Sequence, residues 1–100
     1  MAAVGARRLH LAALGAVVGG PGSGLVCGLM GWRGGAPVLN VGGAADGSGS
    51  VAVGCDRVGG RWWFVLADSG EGVVPVDEVE GAPAVLAGLL RRVAGQEARA

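Results

Sequence analysis

The stretch Val51-Ala52-Val53-Gly54-Cys55-Asp56-Arg57-Val58-Gly59-Gly60-Arg61-Trp62-Trp63-Phe64-Val65-Leu66 decides the fold. Val51, Val53 and Cys55 alternate with Ala52, Gly54 and Asp56, the period of two that marks a strand with one buried face. Arg57-Val58-Gly59-Gly60 reads as a turn with two adjacent glycines able to take positive φ, and residues 61–66 are the aromatic and β-branched types that fill strands. The pair predicts an antiparallel hairpin. Neighbours on a strand point to opposite faces, so Trp62, Phe64 and Leu66 share one side while Trp63 and Val65 take the other.

Working outward, residues 25–32 and 37–41 are short apolar runs separated by Arg33-Gly34-Gly35-Ala36, which predicts a second hairpin. Residues 42–50 hold no large apolar side chain and read as a flexible loop. Downstream, Asp68-Ser69-Gly70-Glu71-Gly72 forms a turn into a short edge element, Val73-Val74, ended by Pro75. Residues 3–18 place Val4, Leu11, Leu14 and Val18 on one helical face, and Gly19-Gly20-Pro21 stops that helix. At the other end Asp77 and Glu80 form a capping-box-like pair. Pro83 is tolerated only in a first turn, so the regular helix is expected to begin near residues 80–82. Val85, Leu86, Leu89, Leu90 and Val93 form its apolar stripe, and Gly95 is its expected stop, leaving residues 96–100 as a tail. The expected fold is α+β: an N-terminal helix, an antiparallel sheet of three to five short strands and a C-terminal helix, in one domain over residues 1–95.

Composition narrows the function. Among 100 residues 22 are glycine, yet 51% are hydrophobic, too apolar for ordinary disorder. The formal net charge is zero, and no more than two arginines are adjacent (Arg7-Arg8, Arg91-Arg92). A nucleic-acid binder needs a basic stripe with stacking aromatics, which this chain lacks. Collagen and coiled coil are excluded by the absence of a glycine period of three and of sustained heptads.

Cys27 and Cys55 sit in apolar strand-like segments and read as buried free thiols. Residues 9–32 carry no formal charge, a run long enough to cross a bilayer, but Gly19-Gly20-Pro21-Gly22-Ser23-Gly24 interrupts it with poor helix formers. A membrane role is therefore not expected, and a cytoplasmic protein is. The alternative is an exported or membrane-anchored envelope protein, with residues 1–24 as signal or anchor and a Cys27–Cys55 disulfide.

Gly60-Arg61-Trp62-Trp63-Phe64-Val65, then Gly70, then Pro75-Val76-Asp77-Glu78-Val79 and the stripe ending Leu89-Leu90-Arg91-Arg92 resemble a group of small uncharacterised actinobacterial proteins. The resemblance covers residues 51–94 well and residues 1–50 loosely. It implies a helix, three or four antiparallel strands and an Ala/Leu/Arg-rich terminal helix, and it brings no catalytic residues. Pro83, where the group has an ordinary helix former, and the glycine-rich middle depart from it.

Catalytic vocabulary is sparse. His10 is the sole histidine, with no Lys or Tyr to replace it as a base near neutral pH, and it lies in an apolar segment. Ser48, Ser50 and Ser69 fall in glycine-rich turns without the Gly-x-Ser-x-Gly spacing of a nucleophile elbow. Gly47-Ser48-Gly49-Ser50-Val51-Ala52 fits Gly-x-Gly-x-x-Ala formally, but the dinucleotide fingerprint must open a helix and this copy opens a strand. Cys27, Cys55 and His10 lack metal-ligand spacing, and Asp77, Glu78 and Glu80 are explained by helix capping. No catalytic residue, cofactor, metal or small-molecule substrate is expected. Two short helices can cover one face of such a sheet, leaving an aromatic face bare. Trp32, Trp62, Trp63 and Val65 are thus the candidate contact residues of a non-enzymatic interaction module, for a homodimer or another protein partner.

Overall fold

A computed structural model describes residues 2–20, 22, 24–31, 36–43 and 49–99, with side chains between residues 5 and 93. Two helices frame a five-stranded sheet: α1 (Ala2–Val18), β1 (Leu25–Gly31), β2 (Pro37–Gly43), β3 (Ser50–Val58), β4 (Arg61–Leu66), β5 (Gly72–Pro75), a 3-10 segment (Val76–Gly81) and α2 (Ala82–Arg99). The strands follow one another in space as they do in sequence, β1-β2-β3-β4-β5, each antiparallel to the next. The α+β expectation holds.

The β3–β4 hairpin turns on Gly59 and Gly60 alone, with φ of 60° and 81°. Two successive positive-φ residues make a turn whose twist matches that of the flanking strands, and only glycine takes them without a Cβ clash. Arg57 and Val58, expected in the turn, instead complete β3, paired with Trp62 and Arg61. At the next connection the Gly70 N–H donates to the Leu66 carbonyl at 2.8 Å, and the Leu66 N–H to the Glu71 carbonyl at 2.8 Å. Gly42, Gly43 and Ser50, expected in a loop, belong to β2 and β3 because cross-strand pairing extends that far, while residues 44–48 lie outside the described residues.

Both helices pack on one face. From α1, Leu11, Leu14 and Val18 enter the core as the spacing predicts, at positions i, i+3 and i+7. From α2 come Ala82, Leu86, Leu89 and Leu90, and the strands add Leu25, Leu39, Val41, Val53, Cys55 and Phe64. Val85, expected in the stripe, is exposed, because Ala82 rather than Val85 heads the buried row. Pro83 falls in the first turn of α2, where its missing N–H costs no helical bond.

The acidic lead-in differs from expectation. The 3-10 segment begins after Pro75 with no side-chain cap, and Asp77 pairs with Arg61 at 2.9 Å, joined by Glu78 at 3.4 Å. A cation within reach across β4 takes the carboxylate that the sequence assigned to capping. Helix α2 also continues through Gly95 to Arg99. Glycine is a stop only where the chain adopts a left-handed turn, and inside a helix it costs about 1 kcal/mol.

Candidate interaction surface

The register sorts the strand residues onto two faces. Cross-strand partners share a side, so Leu29, Leu39, Val53 and Leu66 form one row on the helix side, with Leu29 exposed at its outer end, and Cys55 and Phe64 form part of the next. The intervening residues Val26, Met30, Val38, Asn40, Ala52, Gly54, Trp63 and Val65 point the other way. Neither helix covers that side.

Val38 and Val65 show that this open side is more than a polar exterior. They are only 2% and 8% exposed, yet neither belongs to the core under the helices. Met30 stands opposite Val38, and Gly54 stands opposite Val65. A Cβ on Gly54 would come 4.0 Å from the Val38 Cγ1 atom, so this glycine sits between the two valines in a continuous apolar row. Trp63 lies beside it, half-buried, paired with Pro75. Its indole rests on Gly72, where an added Cβ would stand 3.2 Å from the ring. Trp63 and Val65 therefore meet on one surface, whereas Trp32 lies outside the described residues.

Trp62 belongs elsewhere. It packs against the core on the helix side, so it does not join Trp63 and Val65 on the open face. Its ring lies 5.5 Å from that of His10, tilted by 46°, with the Arg7 and Arg57 guanidinium carbons 5.7 and 5.9 Å from its centroid. Arg7 also donates from Nε to the Cys55 carbonyl at 2.9 Å and reaches Asp56 at 3.4 Å. Trp62 closes one end of the core, and the guanidiniums gain cation–π attraction while keeping contact with water. His10 is engaged in an aromatic contact with Trp62.

The remaining chemical candidates resolve in the same direction. Burial pushes the Cys55 thiol up to about 11, an effect that nearby Arg7 opposes and Asp56 reinforces. A thiol held protonated at neutral pH is a poor nucleophile. The Cys27 thiol donates to the Gly15 carbonyl at 3.7 Å, and both cysteines are free. Val41 stands opposite both Cys27 and Val51. Cys55 is therefore two strands away, about 10 Å, and four residues along, about 13 Å. A disulfide needs Cα atoms within about 7 Å, so the Cys27–Cys55 bridge does not fit this fold.

Ser69 accepts a bond from the Glu71 N–H at 3.2 Å, the local role expected of a turn serine. In the Gly-x-Gly-x-x-Ala match, residues 47 and 48 lie outside the described residues, and Ser50-Val51-Ala52 opens a strand. Among the described residues no three His, Cys, Asp or Glu side chains come together as a metal site. A depression of about 270 Å³ lies over the glycine-rich ends of β1 and β2, beside Val26, Asn40 and Gly42. It is smaller than the roughly 300–1,000 Å³ of typical ligand pockets.

The register signal for Trp63 and Val65 is present in the sequence. What it could not supply is Val38 and Met30, which join them only once β2 is placed between β1 and β3. Comparison of the chain with protein-family models, with curated proteins and with solved structures gives no match.

Proposed function

We propose that this chain is a small non-enzymatic interaction module whose contact surface is the open face of the sheet, presented by half-buried Trp63 and exposed Met30, with the nearly buried Val38 and Val65 as the apolar floor between them. The observation that carries this reading is an apolar row with a half-buried tryptophan beside it, on the side that neither helix covers. Aromatic residues on a rigid sheet are the usual anchors of protein contacts, because they offer area at little entropic cost. The occupant is a protein, either another partner or a second copy. A polyanion finds no net charge to recruit it.

The reading places the chain in the cytoplasm with residues 1–24 as part of the working fold. Leu11, Leu14 and Val18 are completely buried in the core, so removing them would strip one wall from it. The charge-free run 9–32 is divided between α1 and β1, and among the described residues no helix is long and apolar enough to cross a membrane.

The decisive experiment compares wild type with Trp63→Ser. Immobilised wild-type chain should retain its protein partner, or a second copy, and the substitution should weaken retention about tenfold or more. Thermal unfolding should stay cooperative. Equal retention by both chains overturns the reading, as does an absence of any retained protein. The intact mass of the native protein tests the compartment: loss of about the first two dozen residues would assign them to export.

A further inference from the structure

The two edges of the sheet are built differently. Strand β5 is four residues long, ends at Pro75, has an irregular register opposite Phe64 and Val65, and runs straight into the 3-10 segment. Shortness, proline and bulging are the devices that stop an edge from recruiting another strand. Strand β1 has none of them. It is seven residues long, contains neither charge nor proline, and among the described residues its only strand partner is β2. Of the six large hydrophobic residues exposed among the described residues, three lie on it: Val26 at 54%, Leu29 at 45% and Met30 at 48%.

We propose that β1 is a homodimerisation edge, pairing antiparallel with β1 of a second copy about a two-fold axis through Gly28. The pattern is self-complementary about that residue. Antiparallel pairing centred on position 28 sets Val26 opposite Met30 of the partner and Cys27 opposite Leu29 of the partner, so each large side chain meets an apolar one. Gly28 places no side chain on the axis itself, where the two copies meet most closely. Such an interface is isologous, which a single strand meeting itself requires. A second copy also suits the charge: β1 offers no ionic group to select a charged peptide, and two chains of zero net charge do not repel.

A two-fold axis perpendicular to the sheet keeps the helices of both copies on one side. The result is a ten-stranded sheet whose open faces run together, with Val26 and Met30 at its centre and one Trp63 toward each end. The inference accepts that the chain is an association module but uses the edge rather than the open face, so the two readings fail separately. Trp63→Ser tests the face. Val26→Glu and the exchange of amides in residues 26–30 test the edge, because Met30 belongs to both the edge and the face.

Sedimentation equilibrium of the full chain should show a dimer with a dissociation constant below about 1 mM, as expected of a small interface. Val26→Glu alone and Met30→Arg alone should each weaken it about tenfold, by setting a charge against an apolar side chain. The double variant Val26→Glu/Met30→Arg should recover most of the loss, because the register places the new carboxylate opposite the new guanidinium. Both positions are about half exposed, so the fold should tolerate the changes. Hydrogen exchange gives an answer without any variant: amides in residues 26–30 should gain protection as concentration rises. A monomeric wild type, a dimer that survives Val26→Glu, a double variant no better than the singles, or concentration-independent exchange each overturns the proposal. Loss of the dimer in Trp63→Ser with none in Val26→Glu overturns it too, and moves self-association to the open face.

Discussion

Trp62 and Trp63 are adjacent and chemically identical, yet they serve opposite sides of one sheet. Trp62 is enclosed by His10, Arg7 and Arg57 and seals the end of the helix-covered core. Trp63 lies over Gly72 on the side without helices, next to the row of Met30, Val38 and Val65. A strand gives its residues alternate faces at no cost. What those faces become depends on what else the chain can bring over them. Two helices suffice for one side of five strands, so the covered face holds the core and the other face is left without a helix.

The contrast breaks most visibly at Phe64, the largest fully buried side chain among the described residues, in the core under the helices. Phe64→Ala should cost about 3–5 kcal/mol, measured by denaturant unfolding, enough to threaten a domain this small. A comparable loss from Trp63→Ser would show that the faces do not differ as described. The next effect is a pH dependence confined to the covered face. Cys55 has its thiol raised from 9.0 to about 11, so the folded state holds a proton that the unfolded chain releases first. Its contribution is complete below about pH 8.5–9 and is lost as pH rises towards 11, by an amount of order 2 kcal/mol. The chain contains no Lys or Tyr, so few other groups titrate in that window. Unfolding free energy measured from pH 8 to 11 should fall in wild type, and the fall should be much smaller in Cys55→Ala.

Smaller effects sharpen the picture. Gly60→Ala, at φ 81°, should cost about 1 kcal/mol by forcing a side chain into a left-handed turn, read as a lower melting temperature. Trp63→Ser should cost about 1 kcal/mol or less in stability, as a substitution outside the main core, while its effect falls on binding. Gly72→Ala is the subtlest. The added methyl would stand 3.2 Å from the Trp63 ring, so the indole must shift, and partner retention should fall without a change at Trp63 itself. Unchanged retention in Gly72→Ala would mean that the position of the indole does not matter to the contact.

Local signals carried much of this fold. The alternation of residues 51–55, the paired glycines at 59 and 60 and the content of residues 61–66 are short-range properties, and they place β3, its turn and β4 within a residue or two. Pro83 likewise marks the start of α2, because the ring is acceptable only in a first turn. Asp77 as a cap, Gly95 as a stop, Val85 as a buried residue and Gly42, Gly43 and Ser50 as loop residues are each reasonable from local preference. Partners distant in sequence decided two of them, Arg61 for Asp77 and the neighbouring strands for Gly42, Gly43 and Ser50, whereas Val85 and Gly95 turn on how α2 itself is rotated and how far it runs.

The candidate surface divides in the same way. The opposite facing of Trp63 from Trp62, and its pairing with Val65, follows from a period of two and needs no coordinates. That Val38 is buried on the open side, that Met30 extends the row, and that β1 rather than β5 is the unguarded edge depend on strand order. No periodicity encodes strand order, since it is set by which connections bring which strands together. The sequence by itself determined the elements and the two-sidedness of the central hairpin, because those rest on backbone geometry repeated every few residues. Only the tertiary structure decided which side the helices cover, which cysteines are too far apart to bond and which edge is left open, because those depend on packing between residues tens of positions apart.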